Sequence, residues 1–148
     1  METSFAVIKI IHMIISATFL VIAVWLFIRS INGFFKNKSY LKFDKYLSYG
    51  YIISLYLQLI FGLILFSNLG SNLGYNYLGD AHSMMVVSKR LWPVEHIVLM
   101  LFALFIANLG LIISLNSKSD KNKHKNTIIY YFISLLLIFF SLSAIYLF

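Results

Sequence analysis

The sequence predicts an all-α integral membrane protein: a four-helix up-and-down transmembrane bundle with both termini periplasmic. Three observations predict it. The chain is 61% hydrophobic and only 11% charged, whereas soluble domains are roughly half apolar and one quarter charged. Four stretches, 10–28, 46–79, 96–117 and 126–148, contain no Asp, Glu, Lys or Arg. The cations between these stretches also divide unevenly between the two sides.

A helix crosses bilayer hydrocarbon with roughly 20 apolar residues at about 1.5 Å each. The first, third and fourth stretches fit one helix apiece. The second is too long for one helix and too short for two with a turn. Its latter half, SNLGSNLG at 67–74, reads as loop because Asn and Gly favour turns. Helices are therefore expected at about 5–31, 46–67, 93–116 and 126–147. Pro93 suits the first turn of the third helix, where a missing N–H costs nothing. Short links make successive helices antiparallel neighbours, and the 148 residues form a single transmembrane domain.

Orientation follows from the cations. Arg29, Lys36, Lys38, Lys42, Lys45, Lys118, Lys121, Lys123 and Lys125 lie on one side, against Lys9, Lys89 and Arg90 on the other. Cytoplasmic loops attract Lys and Arg, so the nine-cation side is expected in the cytoplasm and the Gly-rich loop in the periplasm. Trp92, Tyr75 and Tyr77 suit the outer interface, and Tyr40 and Tyr46 the inner one. Residues 1–9 carry Glu2 and one Lys, with no basic leader, so the first span is expected to be retained. The expected location is a bacterial inner membrane, crossed several times.

Composition also excludes. A net charge of +7 could suggest nucleic acid, but its cations sit in short links rather than on an extended basic and aromatic surface. There are no cysteines, which removes disulfides, thiolate metal sites and covalent haem attachment. No Gly-rich phosphate loop, H-E-x-x-H motif or nucleophile–base set appears. A transporter's charged pathway is missing too.

Ionisable groups within a span are expensive and mark function. Here they are His12, Glu95 and His96. Helices 1 and 3 run in the same direction, with His12 about two turns into the first and His96 about one turn into the third, so the imidazoles come to similar depth. Two such imidazoles inside a bundle can ligate haem iron axially. The His12 face continues through Ser16, Leu20 and Ala23, and the His96 face through Met100, Ala103, Ala107 and Gly110, residues mostly small enough for close approach. Lys9 and Arg90, with Lys89, flank the histidines and could meet haem propionates. Each residue also has a plainer reading. The histidines can be interfacial anchors or hydrogen-bond to a neighbouring helix, the cations can snorkel, and Glu95 can favour its helix N-terminus.

Ser54, Gln58 and Gly62 share a face of helix 2. A glutamine in lipid needs a partner, expected on a neighbouring helix, as for Asn108. Quinone or a haem edge is the less favoured partner. His82, near Met84 and Met85, reads as a solvated loop residue or a metal contact. His124 reads as an inert member of the Lys-rich link.

The run WPVEHIVLM at 92–100 resembles the third helix of a family of small four-helix membrane proteins of Bacteroidetes-type bacteria labelled cytochrome b. That family has an early histidine in helix 1, matched by His12, and a Gln-x-x-x-Gly-Leu pattern in helix 2, matched by Gln58, Gly62 and Leu63. A Lys-rich link and an aliphatic last helix follow, as in 121–125 and 133–140. The resemblance covers nearly the whole chain through short motifs. It departs at Ala17 and Thr18, where the family has Arg-Trp, and at Tyr56, where it often has a further histidine. The resemblance implies haem b. Joined to the spacing, it leads to a b-type cytochrome-like protein with His12 and His96 on one haem iron and Lys9 and Arg90 near the propionates. Such a protein exchanges electrons with quinol, another membrane subunit or a periplasmic redox partner. The alternative is a cofactor-free accessory subunit of a larger inner-membrane complex.

Overall fold

The computed structural model describes the backbone of residues 2–73 and 84–147, and the side chains of 6–67 and 94–143. The described residues form four helices and no strand: α1 (Glu2–Phe35), α2 (Lys42–Leu73), α3 (Met84–Leu115) and α4 (Asp120–Leu147). Each contains a segment long and apolar enough to cross a membrane, namely Ala6–Phe35, Lys42–Ser67, Val94–Leu115 and Asp120–Ser143. This is the architecture of a multi-pass membrane protein.

The helices outrun the apolar stretches. At 34, 32, 32 and 28 residues, they reach about 40–50 Å at 1.5 Å per residue, the thickness of hydrocarbon plus headgroup zones. Helical hydrogen bonding continues through charged and polar ends. Three expectations fail for this reason. Residues 67–73, expected as loop, belong to α2. Pro93 sits well inside α3 rather than in its first turn. The Lys-rich segment 121–125 is the start of α4 and not a link.

The ends at the two short links have definite stops and starts. α1 closes with Asn37 in the left-handed region (φ 49°) while the Lys38 N–H donates to the Gly33 carbonyl at 3.0 Å, a Schellman closure with Asn in the glycine position. α2 opens with the Asp44 carboxylate accepting from the Leu41 N–H at 2.8 Å, half of a capping box. α4 opens with Ser119, whose hydroxyl accepts from the Asn122 N–H at 3.2 Å.

Each helix packs beside its chain neighbour, and α4 closes the ring against α1. That puts α1 and α3 on one diagonal and α2 and α4 on the other. Buried positions step alternately by three and four: Phe19, Ala23, Leu26, Ser30 and Gly33 on α1, and His124, Thr127, Tyr131, Ser134, Ile138 and Ser141 on α4. Such a 3.5-residue period is that of left-handed helix packing. Many of these residues are polar or small, while Val, Ile, Leu and Phe crowd the outside. In lipid that distribution is favourable, since an apolar exterior costs nothing and, among the described residues, the buried hydroxyls other than that of Ser30 find a partner.

Tyr51 and Tyr131 meet across the α2–α4 diagonal with ring centroids 4.7 Å apart and fill the middle of the bundle. The Tyr51 hydroxyl donates to Ser134 Oγ at 3.2 Å.

Candidate functional site

His12 is ten residues beyond Glu2, and His96 twelve beyond Met84, placing them about 15 and 18 Å from the starts of their helices. His96 is therefore deeper in α3 than the expected single turn, because the helix begins earlier. The two depths match. Both imidazoles line one cavity of about 300 Å³, on the side of the Tyr51–Tyr131 pair away from the two short links. All four helices contribute: Ser16, Phe19 and Leu20 from α1, Leu55 and Gln58 from α2, Met100 from α3, and Ile138, Phe139 and Leu142 from α4. The walls are mainly apolar with a few convergent polar groups, the usual make-up of a small-molecule site.

His12 is held through its backbone and its ring face. Gln58 Nε2 donates to the His12 carbonyl at 3.2 Å and to Ser16 Oγ at 2.7 Å, and Ser16 Oγ donates to the same carbonyl at 2.9 Å. The partner of Gln58 is thus a neighbouring helix, α1. The His12 ring lies over Gly62, where an added Cβ would meet His12 Cε1 at 3.6 Å. His12 Nδ1 is buried with no hydrogen-bond partner. His96 is braced differently: its Nδ1 lies 2.6 Å from Ser141 Oγ on α4.

The remaining expectations divide. Met100, Ala103, Ala107 and Gly110 are buried along the His96 face. On α1 the buried line runs through Phe19 and Ala23 instead of Leu20, which is 43% exposed. Ser54 donates to the Gly50 carbonyl of its own helix at 2.8 Å, and Asn108 turns back to the Leu104 carbonyl at 2.8 Å rather than reaching a neighbour. Lys9 and Glu95 are exposed. The side chains of Lys89, Arg90, Trp92, Met84 and Met85, together with Tyr75, Tyr77 and His82, lie outside the described residues.

Sequence reasoning missed Ser141, although it shares a seam with Tyr131, Ser134 and Ile138. It also misread His124, which is fully buried on α4. The His124 ring packs on Gly33 and lies 5.0 Å from the Tyr40 ring.

Among the described residues no group of three or more His, Cys, Asp or Glu could hold a metal ion. What the cavity offers is two imidazoles, a set suited to a metal whose other ligands arrive with it, as in a porphyrin. No family model, curated protein or solved structure matches this chain.

Proposed function

We propose that this chain is a small b-type cytochrome-like protein of a bacterial inner membrane, holding one haem b in the cavity between His12 and His96 near the periplasmic face. The supporting observation is that imidazoles from α1 and α3 line one apolar cavity at matching depth. The donor set fits: the two imidazoles could hold a haem iron, and no thiolate is required. The buried, unpartnered Nδ1 of His12 belongs to a ring whose hydrogen-bonding capacity within the chain is unused.

Bound haem would supply a one-electron change at iron in a site of low polarity. The chain's own residues do the rest. His12 and His96 would hold the iron through ring nitrogens. Gln58 and Ser16 lock the His12 carbonyl and so fix α1 against α2. Phe19, Leu55, Met100 and Ile138 give the cavity apolar walls. Lys9, one turn before His12, and Arg90, shortly before His96, serve as cations for the propionates. Both termini face the periplasm, and the lysine-rich end faces the cytoplasm. One haem in one leaflet cannot span a core of about 30 Å, so electrons pass on the periplasmic side, to or from quinol, another membrane subunit or a periplasmic redox centre.

The test is optical. Protein purified from haem-replete cells should show a Soret band that sharpens and shifts when dithionite reduces it, and His12→Ala or His96→Ala should abolish it. A colourless wild-type preparation would instead favour a cofactor-free accessory subunit.

A further inference from the structure

The two imidazoles are not held alike. His96 Nδ1 has Ser141 Oγ at 2.6 Å, on a serine that is itself 1% exposed. His12 Nδ1 is buried with no partner, and its ring faces Gly62 at a distance that would leave room for a Cβ. A histidine that ligates through one ring nitrogen is oriented by what its other nitrogen touches. A hydrogen bond accepted from Nδ1–H fixes the tautomer, turns Nε2 toward the metal and raises its basicity.

We infer that Ser141 is the positioning residue of the site: its hydroxyl oxygen accepts a hydrogen bond from His96 Nδ1–H and so presents Nε2 to the cavity. This assignment rests on haem occupying the cavity as proposed above. Its consequence is an ordered pair of ligands, with His96 the anchored one and His12 the one without a hydrogen-bonded brace.

The geometry explains why the brace comes from α4. His96 and Ser141 both lie on helix faces turned to the bundle interior, and Ser141 continues the buried series Thr127, Tyr131, Ser134 and Ile138. α3 and α4 are joined closely along this face, since Gly110 leaves no space for a Cβ against Tyr130. The serine is thus carried on a rigid neighbour and not on a loop, as an orienting group must be.

Three measurements test the assignment. In the haem-loaded protein, Ser141→Ala should weaken haem affinity about 10- to 100-fold, while Ser141→Thr, which keeps the hydroxyl, should retain most of it. Loss of the acceptor makes the His96 ligand less electron-rich, so the reduction potential of the alanine variant should rise. A merely structural serine would not move the potential in that direction. In haem-free protein, the side-chain ¹⁵N resonances of His96 should report an Nδ1-protonated ring in the wild type and lose that signature in Ser141→Ala. Unchanged affinity and potential in Ser141→Ala, or a wild-type His96 protonated on Nε2, would overturn the role of Ser141. If no haem binds to any variant, the cytochrome proposal fails by itself, and the ¹⁵N measurement still decides whether Ser141 sets the tautomer.

Discussion

Gly33 and His124 show how far one missing side chain can shape a helix interface. The imidazole of His124 occupies the space that a Cβ on residue 33 would take, and both its nitrogens are buried without a hydrogen-bond partner. Gly33→Ala should therefore destabilise the protein by about 1–3 kcal/mol through overpacking, read as a lower thermal midpoint in detergent. Adding His124→Ala should restore part of that loss, because the two changes share one space and cannot be additive. Additive losses would show that the pair does not compete for it. His124 reads from sequence as an inert member of the Lys-rich link. The three-and-four steps back from Ser134 through Tyr131 and Thr127 reach it, but that period is legible only once the helix is known to start before residue 126.

At the scale of elements, the α1–α2 junction turns on Asp44. Its carboxylate accepts from Arg29 Nε at 2.6 Å and Nη2 at 3.2 Å on α1, and from the Leu41 N–H at the start of its own helix. One buried group thus caps α2 and ties it to α1, while Ser48 reaches back to the Asp44 carbonyl at 3.1 Å. Asp44→Ala should cost roughly 1.5–3 kcal/mol, the range for hydrogen bonds to a charged group, with Arg29 regaining some solvation because it is part-exposed. The expected readout is earlier thermal unfolding and increased amide exchange in the first turn of α2. An unchanged midpoint would refute the cap. Ser119 was readable as the N-cap of α4, with Asp120 in the first turn where negative charge is favoured. Charge counting hid it, since a lysine run looks like a link when spans are sought by the absence of charge.

On the scale of the whole molecule, the polar residues face in and the apolar ones face out, which only a lipid solvent makes favourable. The two short links and the lysines on and beside them gather at one end of the bundle, and the ends of α1 and α4 that carry the chain termini lie at the other. A periplasm-active reporter fused to the C-terminus in a bacterial host should be active, and one placed in the 36–41 link should be inactive. The reverse pattern would invert the membrane orientation and move the histidine cavity to the cytoplasmic half. The four helices would be unaffected.

The sequence by itself determined the number, order and character of the helices, because hydrocarbon demands runs of apolar residues and leaves few other ways to satisfy a backbone. It also carried the two histidines at matching depth, since depth is counted along the chain. Which side chains share a space was decided by tertiary structure: Gln58 on the His12 carbonyl, Ser141 on His96, and Gly33 beneath His124. Those meetings depend on how each helix is rotated about its axis. In helices this rich in apolar residues, rotation is set by hydroxyls, glycines and ring shapes meeting across the interface, which no single stretch of sequence contains.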